Sequence, residues 1–492
     1  MKKIILTYCL VLIIAGDFTF GMKRDTILAK IGDMEISTIE FSARAEYTPR
    51  PAYCRSDNYI HKKIILNTLI AEKLMAKEAG NDNELTQSSE YKAFIKGRKE
   101  QAMRQVHFYE MAYKISVPDS ASVAEKYSLA GRTYELSFFR IVDSTNAFSI
   151  YNKVSNNRAL FNSVYSSIGI GDTIPKKEIS FFTPEIPEVT SKLFERPLDK
   201  DEILKPIFVG DSYLLLRVDG WVDELAITER AKESRWNDVS LLMTEQEAMT
   251  LYTDYVAKLM KGKNVQFDRG TFEKLVEVVA PFYIKDEKKK EAMFNKNFWR
   301  SANEDEVLMS NFNDADFLKE SPLFTLDGEI WNVSKLMDEI KIHPLVFRKN
   351  ELRKQDFAEQ FKLAIIDLIR DKEITKDSYK NGFDKNNLVT RNVEMWSGNL
   401  LSNYQKYLIL KNADVKGKDK SILFDEVLNP YVKTLQKKYS NEIKINVDEF
   451  EKIKLSKIDM LGLQTDMAFP FVVPLFPELT TLNKLDYGKV LK

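Results

Sequence analysis

Two stretches of the chain repeat one order of hydrophobic and polar positions. In the first, residues 27–80, short apolar runs flank Gly32-Asp33, which predicts a β-hairpin. Ser37 stands three residues before Glu40, the spacing of a helix-capping box. The apolar positions from residue 61 to residue 79 cover too wide a face for an exposed helix. The stretch therefore predicts a hairpin, a capped helix and a second helix packed between others.

The same order returns between residues 323 and 371. Apolar runs flank Asp327-Gly328, and Asn332 takes the place of Ser37 as a helix cap. A wide-faced apolar helix follows near residues 361–369. Because hairpin, cap and buried helix recur in one order, we interpret the two stretches as an internal duplication.

An additional module separates the parts of the first repeat. Its apolar patterns predict, in order, a strand, two helical pieces, a short helix and a closing strand, at residues 134–142, 146–154, 160–166, 188–194 and 213–218. A long helical pattern over 224–260 and an extended segment at 264–267 follow. The second repeat has matching helical and extended patterns at 393–410, 424–439 and 442–447, with only 413–421 where the module would be.

Composition limits the class of protein. The 492 residues are 44% hydrophobic, enough to build two to four folded domains. Lys+Arg and Asp+Glu are equal at 73 each, so no global charge favours nucleic acid or an anionic membrane as partner. Sparse glycine and proline favour a mostly α fold with α+β parts.

The N-terminus predicts the compartment. Lys2-Lys3 precede an apolar run from Ile4 to Ala15, the pattern of a secretory signal peptide over residues 1–21. A membrane anchor is the alternative, but Asp17 interrupts the run short of the ~20 residues that a span needs. With the signal removed, Cys54 is the last cysteine, so we expect no disulfide, no metal site and no cofactor. We expect a mature protein without a membrane span, in the periplasm.

Two sequence patterns resemble a known family. The run Leu-Ile-x-x-Lys-Leu-Met-x-x-Glu-Ala at residues 69–79, after the hairpin at 29–36, resembles the N-terminal chaperone domain of SurA-like, parvulin-type periplasmic peptidyl-prolyl isomerases. The element order of 130–222, with Leu-x-x-x-Glu-Ile-x-x-Pro-Ile at residues 198–207, resembles a parvulin (PpiC-like) domain. The resemblance implies two tandem chaperone-like helical domains, the first carrying an inserted parvulin-like α/β domain.

The resemblance also implies domain boundaries. We predict a signal peptide (1–21), a discontinuous first chaperone-like domain (22–129 and 223–280), a parvulin-like domain (130–222), a helical connector (281–321), a second chaperone-like repeat (322–462) and an extended tail (463–492). In this scheme the segment 264–267 returns to close the first domain.

Three prolines within residues 467–477 exclude a helix or a central strand in this part of the tail. We expect an arm packed on the body; the alternative is a segment that docks in a client groove or on a partner.

The catalytic residues of the family do not carry over. Active parvulins place histidines at the positions of Arg140 and Leu214, whereas this chain has only His61, His107 and His343. We therefore assign no catalytic residue and leave enzymatic activity open. The resemblance implies an apolar peptide-binding set: Phe139, Phe161, Val189, Leu193, Phe194 and Leu214. For Val189, Leu193 and Phe194, a role in the core is the alternative.

No nucleophile–base pair, metal-ligand spacing or phosphate-binding loop is found in the sequence. The resemblance implies an ATP-independent periplasmic chaperone with an inactive isomerase module. Its partners would be unfolded or nascent exported polypeptides, outer-membrane proteins among them. Two alternatives stay open: an active peptidyl-prolyl cis-trans isomerase, and an envelope adaptor with one dedicated partner. The sequence does not determine the oligomeric state or the clients.

Overall fold

The structure is a computed structural model that describes residues 26–168, 173–182, 186–284, 317–349, 352–413, 422–455 and 472–491. The predicted signal peptide, most of the predicted connector and the first part of the predicted tail lie outside these residues.

Helices make up most of the described chain. Their bounds are α1 (Thr38–Glu46), α2 (Tyr59–Ala79), α3 (Glu84–Gln87), α4 (Ser89–Met111), α5 (Ser120–Tyr127), α6 (Ser144–Asn156), α7 (Leu160–Ser167), α8 (Pro187–Leu193), α9 (Glu229–Leu259), α10 (Arg269–Tyr283), α11 (Val333–Ile342), α12 (Phe357–Lys380), α13 (Asn387–Asn412), α14 (Asn429–Lys438) and α15 (Val447–Lys452). Among the described residues, no helix is long and apolar enough to cross a membrane.

The strands form three small sheets. Their bounds are β1 (Ile27–Ile31), β2 (Met34–Ser37), β3 (Arg132–Ile141), β4 (Lys176–Ser180), β5 (Ile207–Val209), β6 (Ser212–Asp223), β7 (Val265–Phe267), β8 (Pro322–Leu326), β9 (Glu329–Asn332), β10 (Ile443–Ile445) and β11 (Lys489–Val490). The strand orders are β11-β10-β1-β2, β4-β3-β6-β5 and β7-β8-β9. The predicted mixture of α and α+β structure is confirmed.

The chain divides into two compact units. We call residues 111–251 the sheet unit, because they contain the β4-β3-β6-β5 sheet. The rest of the described chain, residues 26–110, 252–455 and 472–491, is the helical unit.

The first hairpin of the helical unit forms as its sequence predicts. Gly32 takes a positive φ of 60° in the turn between β1 and β2. Ser37 caps α1, its hydroxyl accepting a hydrogen bond from the Glu40 N–H at 3.1 Å. Helix α2 is buried over most of its length, against α13 and α14 among others. The predicted hairpin, capped helix and buried helix are therefore all present.

The second hairpin repeats these features. Asp327 and Gly328 both have positive φ, the requirement of a tight two-residue turn. Asn332 caps α11 by accepting from the Lys335 N–H at 2.9 Å. The core behind the hairpin contains Trp331 of β9 and Phe361 of α12, 2% and 0% exposed.

The two strands that follow the long helices pair across the hairpins. Strand β7 pairs with β8 of the second hairpin, with Val265 opposite Leu326. Strand β10 pairs with β1 of the first hairpin, with Ala29 opposite Ile445. The sequence does not predict these partners, because a local pattern identifies a strand but not its distant partner. The domain boundaries drawn from the resemblance stay a prediction.

The sheet of the sheet unit is packed on both faces. One face contacts α6 and α7 through a cluster that includes Phe139, Phe161 and Leu215. The other face packs on α8 and on the first part of α9, and Tyr134 and Val239 lie in that cluster. A register shift between Glu135 and Leu136 interrupts the β3–β6 ladder.

Candidate functional site

The two strand positions that carry histidines in active parvulins lie side by side. Arg140 of β3 is directly opposite Leu214 of β6 in the antiparallel register. Arg140 is exposed and Leu214 is buried. An arginine stays charged and a leucine has no ionisable group, so this pair offers no proton donor–acceptor couple near neutral pH.

The predicted peptide-binding residues fall on two faces of the sheet. Phe139 and Phe161 contact each other on the α6–α7 side, with ring centroids 5.0 Å apart. The other four lie together on the α8 side: Val189, Leu193, Phe194 and Leu214. All six are at most 7% exposed. The structure therefore places them in the core, and their contact with a peptide stays a prediction.

A polar network lies beside Phe139 on the α6–α7 side. The Ser137 hydroxyl donates to Asp219 Oδ2 at 2.6 Å, and Arg217 Nε donates to Asp219 Oδ1 at 2.8 Å. Arg217 also donates to the Asn162 side-chain oxygen at 3.0 Å. The Asp219 carboxylate is paired with Arg217. The network therefore connects β3, β6 and α7.

The described part of the chain offers neither a cluster of metal ligands nor a reactive thiol. It contains no group of three or more His, Cys, Asp or Glu side chains placed to hold a metal ion. Cys54 is fully buried, and that burial raises the pKa of its thiol to about 12. A thiol in this state is protonated and a weak nucleophile.

An exposed aromatic cluster lies on the α6–α7 side of the sheet, whereas Arg140 and Leu214 face the α8 side. It consists of Phe148, Phe208 and Tyr213, which we call the aromatic edge. Tyr213 contacts Phe208 and Phe148, with ring centroids 5.1 and 6.0 Å away. Phe148 is 43% exposed and Phe208 is 46% exposed. In β5, Ile207 and Val209 are buried and Phe208 faces outward. Because all three residues are apolar, the sequence carries no signal that identifies this edge.

A second exposed apolar stretch covers the end of β6 and the residues just after it in the sheet unit. Val222, Leu225 and Ile227 are 64%, 76% and 81% exposed. Folded domains rarely expose contiguous apolar side chains without a binding role. The sheet unit therefore presents two apolar surfaces to solvent.

In the helical unit, the described part of the tail runs extended over α1, α2 and α13. Val473, Phe476 and Leu479 are buried. Five main-chain carbonyl groups accept hydrogen bonds from side chains of the three helices, at Leu475, Glu478, Thr480, Leu482 and Lys484. We call the five donor side chains the tail cradle: Arg44, Asn67, Thr68, Asn399 and Lys406.

A buried ion pair lies under the tail cradle. Arg44 donates from both terminal nitrogens to the two oxygens of Glu72, each at 2.8 Å, and both side chains are 0% exposed. Asn399 donates to Glu72 Oε2 at 2.8 Å. Burial alone would lower the pKa of Arg44, and the adjacent Glu72 carboxylate more than reverses this, so the pKa is raised.

The histidines lie in the helical unit. The ring of His107 is fully buried, with Nδ1 3.0 Å from the Tyr252 hydroxyl and Nε2 2.9 Å from Asp377 Oδ2. Tyr255 donates to the same Asp377 oxygen at 2.6 Å. Burial lowers the pKa of His107, and Asp377 only partly opposes this. These groups join α4, α9 and α12.

Comparison with known proteins does not identify a family for this chain. No protein-family model matches the sequence, and no curated protein matches it. Among solved structures, the chain is similar to a peptidylprolyl isomerase (PrsA) from Bacillus anthracis, with 14% identity, over 39% of this chain and 97% of that one, at a TM-score of 0.17. That protein belongs to the class that the sequence resemblance indicated, but a TM-score this low carries no argument about this chain.

Proposed function

We propose that this protein is an ATP-independent periplasmic chaperone that binds unfolded exported polypeptides, and that its isomerase-like sheet unit lacks acid–base catalysis. The observation that carries the proposal is the aromatic edge, an exposed apolar surface on the α6–α7 side of the sheet. The proposal includes an N-terminal signal peptide and a SurA-like arrangement of two related helical scaffolds.

The size of the aromatic edge suits weak binding of many sequences. Phe148 and Phe208 each leave about half of the ring exposed, or roughly 90 Å² of a ~200 Å² side chain. Burying that area contributes about 2 kcal/mol per ring before the cost of association. One client segment is thus held weakly, with a Kd above about 1 mM once the cost of association is included. An unfolded client presents many such segments, and the surface at Val222, Leu225 and Ile227 adds a second contact, so avidity raises the overall affinity.

The alternative of an active isomerase has less support. Rotation about an X–Pro bond faces a barrier of about 18–20 kcal/mol, and lowering it requires a site that holds the proline. Leu193, Phe194 and Leu214 would form the apolar part of that site, and they are buried against one another. A proline-limited refolding assay separates the two functions: acceleration by this protein would favour the isomerase.

The chaperone proposal is tested by aggregation of a denatured outer-membrane protein diluted into buffer, followed by light scattering. We expect the protein without residues 1–21 to suppress scattering at near-stoichiometric ratios. Replacing the two exposed phenylalanine rings of the aromatic edge (Phe148→Ser, Phe208→Ser) should raise the amount required at least threefold.

The matched control is Tyr407→Ser, which removes an aromatic ring that is 58% exposed in the helical unit. This variant should behave as the wild type. Absence of suppression by the wild type would overturn the proposal. Capture of one stoichiometric partner, rather than a mixture of unfolded chains, would favour an adaptor.

A further inference from the structure

We propose that the tail cradle is a binding site for an extended, proline-containing apolar segment of a polypeptide, and that the tail is its resident intramolecular ligand. The proposal rests on the proposed chaperone function and assigns to it a second, separate site in the helical unit.

The donors of the tail cradle contact main-chain carbonyl groups of the tail, and Asn67 also accepts a hydrogen bond from the Tyr487 hydroxyl. Lys406 donates to the Glu478 carbonyl at 2.8 Å, and Asn67 donates to the carbonyls of Leu482 and Lys484 at 2.9 and 3.0 Å. Every residue of every polypeptide has such a carbonyl. A site built from these donors can therefore hold extended chains of different sequence.

The apolar contacts have a fixed spacing. Val473, Phe476 and Leu479 are buried and stand three residues apart, whereas the Leu475 side chain between them is 52% exposed. Pro474 and Pro477 fall within this run. Both prolines are buried as well. Proline restricts φ to the polyproline II value, and that helix repeats every three residues, so two neighbouring rows of the segment are buried while Leu475 faces solvent. The ligand class is therefore an extended segment with apolar residues at every third position and prolines between them.

The buried ion pair under the tail cradle fits a role in recognition. Pairs of this kind stabilise a fold little compared with apolar residues of the same shape. Here Glu72 fixes Arg44 and Asn399, and both donate to the Leu475 carbonyl, at 3.3 and 3.4 Å. The pair therefore aims two donors at one carbonyl of the bound segment.

A tethered ligand competes with free ligands at an effective concentration of about millimolar. In the wild-type protein the tail thus masks the site, and a client segment binds only when it displaces the tail. The contacts of Arg44 and Asn399 with Leu475, and of Thr68 with the Thr480 carbonyl at 3.4 Å, are long. The end of the tail is held by the two-residue strand β11, whose Val490 is 70% exposed.

The test uses a fluorescein-labelled peptide with the sequence of residues 472–487 and fluorescence anisotropy with the full-length protein. We expect weak binding to the wild type. Phe476→Ala, which removes a buried ring from the tail, should tighten binding of the peptide at least tenfold. Leu475→Ala, which changes an exposed tail side chain, is the matched control and should leave binding as in the wild type.

A variant of the tail cradle completes the test. Adding Lys406→Met to Phe476→Ala removes the donor to the Glu478 carbonyl and should weaken peptide binding about tenfold relative to Phe476→Ala alone. The proposal is overturned if folded Phe476→Ala binds the peptide no better than the wild type, or if Lys406→Met has no effect. It is also overturned if Phe476→Ala does not fold, because the tail is then an inseparable part of the core.

The same variants distinguish this proposal from the chaperone proposal. If they suppress aggregation of the outer-membrane protein but do not bind the peptide, the aromatic edge acts as a chaperone surface and the tail cradle is structural. If they bind the peptide but suppress no aggregation, the cradle is a peptide site in a protein that is not a chaperone.

Discussion

A methyl group at Gly97 should push two helices of the helical unit apart. Gly97 of α4 lies against the end of α11, where a Cβ at residue 97 would be 2.0 Å from the Ile342 carbonyl oxygen. Ordinary contact begins at 3.4 Å, so the helices would have to separate by about 1.4 Å. The His343–Glu100 pair, 2.5 Å between Nε2 and Oε2, lies beside this contact and would be disturbed with it.

The magnitude follows from two opposing effects. Overpacking costs about 1–3 kcal/mol, whereas alanine in place of glycine gains about 0.5–1 kcal/mol of helix stability. We expect Gly97→Ala to lower the free energy of unfolding by about 1–2 kcal/mol. Gly398 of α13 has no atom within 4 Å of the added Cβ, so Gly398→Ala should raise the free energy of unfolding by about 0.5–1 kcal/mol.

The assay is urea unfolding followed by tryptophan fluorescence, since Trp331 and Trp396 lie in the helical unit. The midpoint should fall for Gly97→Ala and rise for Gly398→Ala. Equal shifts of the two midpoints, or a rise for Gly97→Ala, would refute the close approach of α4 and α11.

Three further predictions follow from buried groups. Arg44→Met alone should lower the free energy of unfolding by about 3–5 kcal/mol in urea titrations, because Glu72 loses its buried ion-pair partner. The Arg44→Met/Glu72→Leu double variant should lose clearly less free energy of unfolding than Arg44→Met. An equal loss in the two variants would contradict a paired site. The pKa of His107 is lowered below 6.5, so its ring binds a proton more readily in the unfolded chain than in the folded one. The melting temperature should therefore be highest above pH 6.5 and should fall as the pH drops below that value. His107→Gln should flatten this part of the pH profile. An unchanged profile would mean that His107 does not titrate on unfolding. Burial and a raised pKa of Cys54 predict that a thiol reagent such as Ellman's reagent labels it only at the rate of unfolding, and rapid labelling of the native protein would contradict the burial.

Local features of the fold could be predicted because neighbouring residues encode them. The caps at Ser37 and Asn332 and the turns at Gly32 and Gly328 each depend on a few adjacent positions. The exchange of β7 and β10 between the two hairpins could not be predicted, since both strands carry similar short patterns and their partners are far away in sequence.

The candidate site illustrates the same limit. The peptide-binding set was chosen for its apolar character, and the register of β3 and β6 places its members on opposite faces: Phe139 is opposite Leu215, whereas Arg140 is opposite Leu214. The aromatic edge depends on a third strand, because Phe208 of β5 is opposite Tyr213 of β6. The tail cradle includes two polar residues of α2, Asn67 and Thr68. They stand among the many apolar positions of this helix, so the apolar pattern does not identify them.

The central claim, binding of unfolded polypeptide by the aromatic edge, is tested most directly by photocrosslinking. Benzoylphenylalanine is placed at Phe148, at Phe208 or, as the control, at Tyr407, and each protein is irradiated with a denatured outer-membrane protein diluted from urea. The account predicts crosslinks to the client from positions 148 and 208, and few from position 407. Equal crosslinking from all three positions, or none from 148 and 208, would contradict it.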